Sequence, residues 1–232
     1  MNLISFLGDV LHLASIFILL VKMFATRSSK GISRKTQVLY AVVFVTRYLD
    51  LGHMLYKVFV LFKLPSLVMT YLSLMKVLYI GSSIFIVYLM YVKPPFSKTY
   101  NRELDKVRME MLMIPCFLLA MIWNEKFTIE EVLYTFSLWV EAVAIVPQLF
   151  MVHQVARTSG GFVENLTGHY VFTLGGYRAL YLLNWIYRLL TEPGYWHPIV
   201  WITGIIQTAI YCDFFYYYIT TVGRGQSLVL PV

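Results

Sequence analysis

An arginine-bearing polar stripe runs through one of the most apolar stretches of this chain. Residues 169–189 read HYVFTLGGYRALYLLNWIYRL and carry Tyr177, Arg178, Tyr181, Asn184, Trp185 and Arg188. At roughly 100° per residue these six side chains fall within an arc of about 120°. Two arginines in a membrane-compatible helix are costly unless they face a wet cavity or anionic partners.

Other ionisable residues sit in apolar stretches and are functional candidates for the same reason. Ser5, Asp9 and His12 share a helical face at i, i+4 and i+7. Arg47 and Asp50 are spaced i, i+3, with Tyr48 beside them. Glu131 and Glu141 lie at the start and near the middle of one stretch, which continues into Pro147-Gln148. Pro147 predicts a kink, with Gln148 satisfying the backbone groups it frees. Asp213 sits beside Phe214, Phe215 and Tyr216 to Tyr218, the tyrosines reading as an interfacial belt. His53, His153, His169 and His197 fall near stretch ends and read as solvated, whereas His12 lies mid-stretch.

The acids Asp9, Asp50, Glu141 and Asp213 stand against Arg47, Lys76, Arg178 and Arg188, a set balanced at neutral pH. Asp9 and Asp213 read equally as structural partners of the arginines and as ligand contacts, and Lys76 as neutralising a carboxylate. Acidification can only add positive charge, through His12 (ordinary pKa about 6.5) or a buried Glu141. Guanidinium forks bind carboxylates in a bidentate way. The residues therefore point to a proton-dependent site for a carboxylate-bearing ligand. They include no Ser-His-Asp arrangement, metal cluster or phosphate loop, so neither catalysis nor a bound cofactor is expected; protons are the only effector.

The surrounding elements must be membrane helices. The 232 residues are 59% hydrophobic and 13% charged, against about 25% charged in a soluble domain. Seven stretches approach the ~20 residues a span requires: 3–24, 36–54, 67–91, 107–124, 131–152, 168–190 and 195–220. The first is long enough to span and lacks the basic flank and cleavage site of a signal peptide. Cys116 and Cys212 both lie in apolar runs and imply no disulfide framework. The net charge of +7 reads as topology rather than as nucleic-acid binding. Arg27, Lys30, Arg34, Lys35, Lys93, Lys98, Arg102, Lys106, Arg108, Arg157 and Arg224 fall on one side, and only Lys57, Lys63 and Lys126 on the other. The positive-inside rule places the N-terminus in the lumen and the C-terminus in the cytosol. The sequon Asn165-Leu166-Thr167 then lies on the cytosolic side and reads as an unused match.

An internal repeat is visible. RSSKGISRKTQVLYAVVFVTRYLDL (27–51) aligns with RTSGGFVENLTGHYVFTLGGYRALYL (157–182) across one insertion, pairing Arg27 with Arg157 and Gly31 with Gly161. This predicts an all-α, seven-transmembrane bundle built as a 3+1+3 parallel repeat of the SWEET type, with its site at the repeat interface. Repeat one covers about 1–92, a linker span 107–124, repeat two 131–220 and a cytosolic tail 221–232, all in one membrane domain.

The segments LGDVLHLASI, KGISRKTQ, TRYLDL, VEAVAIVPQLFM, YRALYLLNWIYR and YCDFFYYYIT together resemble the KDEL receptor family over nearly the whole chain. The resemblance implies a SWEET-like seven-span receptor. Such a receptor binds the C-terminal KDEL or HDEL tetrapeptide of escaped endoplasmic reticulum (ER) proteins in the acidic cis-Golgi, returns in COPI vesicles and releases its cargo at neutral pH. It also implies residue roles. Arg47 takes the terminal carboxylate and Arg188 an acidic side chain, while Asp50 and Glu131 take the charge at the signal's first position. Tyr48, Tyr181, Asn184 and Trp185 line or brace the cavity. His12 is proton-sensitive, and Glu141 bonds Tyr177 in a pH-dependent way. Arg178, Asp9 and Asp213 balance charge. COPI coat, membrane lipids and the signal peptides are the implied partners.

Three positions depart from the family pattern. Ser5 stands where the family has arginine, Tyr134 where it has tryptophan, and the tail TTVGRGQSLVLPV offers only Arg224 in place of a lysine cluster. The chain is also longer between Asp50 and Lys76. The alternative from another class is a proton-coupled transporter of a small anion or amino acid on the same fold.

Overall fold

The computed structural model describes residues 2–52 and 66–231. His53, Met54, Lys57 and Lys63 lie outside the described residues. Among the described residues the architecture is all-helical, with one isolated bridge, Phe162 to Val229.

Helix α1 (Leu3–Thr26) starts at a capping box. Asn2 accepts from the Ser5 backbone N–H at 2.9 Å, and the Asn2 N–H reaches Ser5 Oγ at 3.2 Å. It stops at Arg27, in the left-handed region at φ 48°. Helix α2 (Arg34–Arg47) is capped by Ser33, and α3 (Leu67–Tyr91) by Ser66. Helix α4 covers Met109–Ile122. The fifth apolar stretch is one rod in two pieces, α5 (Ile129–Val143) and α6 (Val146–Thr158). The break precedes Pro147, which has no N–H to continue the ladder. Helix α7 (Asn165–Thr191) carries the arginine stripe, and α8 (Pro198–Thr221) ends in a 3-10 turn, Val222–Arg224.

By length and composition, four of these rods can cross a membrane: Leu3–Thr26, Leu67–Tyr91, Ile129–Thr158 and Pro198–Arg224. The α5–α6 window is 78% buried, against 28–33% in the other three, which makes this rod the centre of the bundle. Helix α1 packs on α7, α2 on α3 and α5, α5 on α4 and α8, and α7 on α8. Large apolar side chains such as Phe17, Met111, Ile122 and Leu190 face outward, as in a helical membrane protein.

The kink is tied to the α1–α2 connection rather than to its own helix. Gln148 accepts from the Ser33 N–H at 2.8 Å and donates to Gly31 O at 2.9 Å, and its backbone N–H meets Thr36 Oγ1 at 3.0 Å. At the same end, Asp105 lies buried over the start of α2, accepting from Ser33 Oγ at 2.9 Å and Tyr100 OH at 2.7 Å. The tail folds back beside the α6–α7 loop. Val163 N–H donates to Leu228 O at 3.0 Å and Leu230 N–H to Gly161 O at 2.9 Å, burying Leu228 and Leu230.

Span two differs from its expected form. Helix α2 ends at Arg47, with Tyr48 out of helical geometry at φ −106°, ψ 36°. Arg47 and Asp50 are therefore not an i, i+3 pair on one helix; each turns to an opposite charge on another element.

Candidate functional site

Glu141 stands at the centre of the central rod, fully buried. Burying a carboxylate demands compensation, and three side chains from two other helices supply it. Arg47 Nη1 approaches Glu141 Oε2 at 2.5 Å from the end of α2, and Arg178 Nη2 reaches the same oxygen at 2.8 Å from α7. Tyr177 OH donates to Oε1 at 2.7 Å. Ser137 Oγ receives Arg47 Nε at 3.0 Å, and Gln207 on α8 receives Arg178 Nε.

Two guanidiniums on one carboxylate leave a net positive charge. Arg47 Nη2 is buried with no hydrogen-bond partner among the described residues. Such orphaned donors are uncommon and costly. Arg47, Glu141 and Arg178 lie in the wall of a cavity of about 480 Å³. The lining also holds Glu125, Glu131, Tyr134 and Tyr195, with the basic Arg188 and His197 beside them. A cavity lined by groups of both signs suits an extended ligand that carries carboxylates and a cation.

His12 forms part of the inner wall. Its ring stacks on Tyr177 at 4.1 Å and 6°, and on Tyr79 at 4.6 Å and 23°. A continuous run of contacts thus joins His12 to Tyr177, Glu141 and both inner arginines.

Sequence comparison adds an independent line. The family model described as ER lumen protein retaining receptor matches residues 28–188. The chain belongs to the ER lumen protein-retaining receptor family. Similar relatives are the ER lumen protein-retaining receptor of Drosophila melanogaster, 49% identical, and receptor B of Arabidopsis thaliana, 47% identical. Receptor 2 of Danio rerio is 46% identical, and each match covers 100% of both chains. An ER lumen protein-retaining receptor is not an enzyme by family, and its apolar helices make it a multi-pass membrane protein of the secretory pathway.

The remaining expected residues divide by place. Tyr48, Tyr181, Trp185 and Arg188 line both the first cavity and a second of about 610 Å³, whose wall also holds Asn2, Ser5, Asp9 and Asn184. Ser5 uses its hydroxyl on the α1 cap, donating to Asn2 O at 2.9 Å. Asn184 accepts from Asn2 Nδ2 at 2.6 Å. Asp50 pairs with Lys76 rather than with Arg47. Arg224 is exposed in the turn after α8.

Two acids expected to balance the arginines do not touch them. Asp9 is surrounded by phenols, accepting from Tyr71 at 2.8 Å, from Tyr181, and from Tyr79 at 3.4 Å. Asp213 projects outward on α8 with its side chain 67% exposed, and His153 Nε2 lies 3.8 Å away. Asp9 shares the second cavity with Arg188 but gives its oxygens to phenols, whereas Asp213 sits on an outward face of α8. The balanced four-against-four set is therefore replaced by local groupings, and the Glu141 grouping keeps an excess of positive charge.

Ser137, Gln207, Tyr79 and Glu192 also enter these groupings. Gln207 had a usable signal, a polar residue amid an apolar run, and Glu192 had one in its i+4 spacing from Arg188.

Proposed function

We propose that this chain retrieves escaped ER lumenal proteins by binding their C-terminal KDEL- or HDEL-like tetrapeptides in the acidic cis-Golgi. It returns them in COPI vesicles and releases them at neutral pH in the ER. The observation that carries this reading is the orphaned Nη2 of Arg47 in the wall of the 480 Å³ cavity. That donor and the net positive charge around it suit a terminal carboxylate. Glu131, which lines a neighbouring pocket with Asp50 and Glu130, suits a lysine or histidine at the signal's first position, and Arg188 suits an internal acid. Tyr134 offers a ring to that first-position cation.

Protons act in this scheme through the contacts that link His12, Tyr177 and Glu141. Protonating either His12 or Glu141 makes the inner cavity more positive. Neutral Glu141 would also loosen its hold on Arg47 and Arg178 and free both for the ligand's carboxylate. Binding then strengthens in acid and weakens at neutral pH.

The architecture we propose around this site is seven spans in a 3+1+3 parallel repeat, with a lumenal N-terminus and a cytosolic tail carrying Arg224 for coat recognition. The helix neighbours support it. Exchanging α1 with α5–α6 and α2 with α7 carries the α1–α7 contact onto the α2–α5 contact. Gly31 and Gly161, paired by the repeat, both adopt positive φ, 79° and 93°. Family membership favours the receptor over a solute transporter.

The test is tetrapeptide binding by purified protein at about pH 5.5 and 7.2, on either side of the ordinary histidine pKa. Tighter binding in acid, lost on amidating the C-terminus, is the expected result. Equal affinity for the amidated peptide would remove the assignment of Arg47.

A further inference from the structure

Arg188 is already occupied at the mouth of the site. Its Nε donates to the two oxygens of Glu192 at 3.0 and 2.9 Å, and its Nη2 to Glu192 Oε2 at 2.7 Å. Its guanidinium lies over Tyr195, 4.1 Å from the ring centre. Glu192 caps the end of α7, and its backbone N–H donates to Arg188 O at 2.8 Å. Arg188 lines both cavities, and Glu192 lines the second beside it. The two inner arginines share one carboxylate, whereas Arg188 has a carboxylate to itself.

We propose that Glu192 is a built-in competitor for Arg188, and that a ligand's acidic side chain is read against it. The proposal rests on the tetrapeptide reading above and names a specificity-determining residue for that site. The Nε–Nη2 edge of Arg188 presents the paired donors a ligand carboxylate would seek. With Glu192 on that edge, an incoming acid must either displace it or bind the opposite edge and meet its negative charge across one guanidinium. Displacement is within reach because Glu192 follows the last helical residue and its side chain is 49% exposed. Arg188 holds the Glu192 carboxyl below its ordinary range, chiefly through the hydrogen bonds. Glu192 therefore remains ionised throughout the range in which the ligand binds, and its competition is constant rather than a pH switch. An exposed i, i+4 pair is a weak interaction, so Glu192 tunes affinity and does not block the site.

Glu192→Gln removes the charge and keeps the shape. Wild-type and variant protein are compared at about pH 5.5, using displacement of a labelled KDEL tetrapeptide. The competitors are the same peptide and versions with one internal acid replaced by its amide. The variant is expected to bind the acidic peptide about two- to fivefold more tightly, the scale of one exposed ion pair. It should gain nothing for the peptide whose amide replaces the acid read by Arg188. Unchanged or weaker binding of the acidic peptide overturns the proposal. So does an equal gain for every peptide, which would mark a change at the helix end rather than competition for Arg188. If neither protein binds the acidic peptide, the tetrapeptide reading itself fails, and the competitor falls with it.

Discussion

The hydroxyl of Tyr177 and the guanidinium of Arg178, consecutive residues on α7, hold opposite oxygens of Glu141, at 2.7 and 2.8 Å. With Arg47 on the second oxygen, a single carboxylate ties α2, α5 and α7 at one point. The ring that donates to Glu141 is also the ring on which His12 stacks. Bundle stability and the proposed ligand reading therefore draw on the same few atoms.

Removing parts of this grouping should have graded effects. Tyr177→Phe deletes one hydrogen bond to a charged group and leaves both arginines paired, a loss of about 1.5–3 kcal/mol. Glu141→Gln leaves two buried guanidiniums without their counter-charge, a loss of about 3–5 kcal/mol. Thermal unfolding in detergent should rank wild type above Tyr177→Phe and Tyr177→Phe above Glu141→Gln. Equal melting temperatures would contradict the grouping. The ratio of peptide affinities at acid and neutral pH should also shrink toward one in Glu141→Gln.

Arg47→Lys keeps a charge but cannot serve Glu141, Ser137 and a ligand carboxylate from one fork. Peptide affinity should fall by about tenfold or more, the cost of one charge-assisted hydrogen bond. The free-acid peptide should lose more than its amidated form in an isothermal titration. Equal losses for both would place the terminal carboxylate elsewhere.

At the other end of the bundle, burial and the bond to Asp105 both push the Tyr100 phenol above its ordinary value. A folded pKa above the unfolded one stabilises fully below the unfolded value of about 10 and loses that contribution as pH rises through the folded value. The wild-type advantage over Tyr100→Phe should thus be constant up to about pH 9 and shrink only in stronger alkali. Asp105→Ala removes the acceptor for Ser33 and Tyr100 at the start of α2 and should cost about 1–3 kcal/mol. Urea or thermal unfolding across that range reads both effects, and an advantage that grows in alkali would contradict the assignment.

The tail should detach without disturbing the site. A Cβ at Gly168 would stand 2.8 Å from Leu228 Cδ2, so Gly168→Val collides with the docked tail. Hydrogen exchange at Val163 and Leu230, the two amides that donate across the tail contact, should rise from protected to near-free rates, with peptide affinity at acid pH unchanged. Retained protection would show that the tail accommodates the larger side chain.

Much of this protein was legible without coordinates. Composition and apolar run length identified the membrane class, and Arg47, Glu141, Arg178 and Arg188 stood out because charge inside an apolar run is expensive, with Tyr177 on the same polar stripe as Arg178. The motifs from LGDVLHLASI to YCDFFYYYIT carried the family. Partner choice was not legible. The i, i+3 spacing of Arg47 and Asp50 suggested a pair, yet the helix stops at Tyr48, and the two charges turn to Glu141 and Lys76. Asp9 and Asp213 suggested counter-ions for the arginines, yet one meets three phenols and the other points outward. Periodicity fixes a side chain's direction only about its own helix axis. Which charge it meets depends on the rotation and register of the neighbouring helices, and those are set by packing across the bundle. The sequence by itself therefore determined that buried arginines must find carboxylates; the tertiary structure decided that two of them share Glu141 and leave one donor unpaired among the described residues, because α2, α5 and α7 converge on that carboxylate.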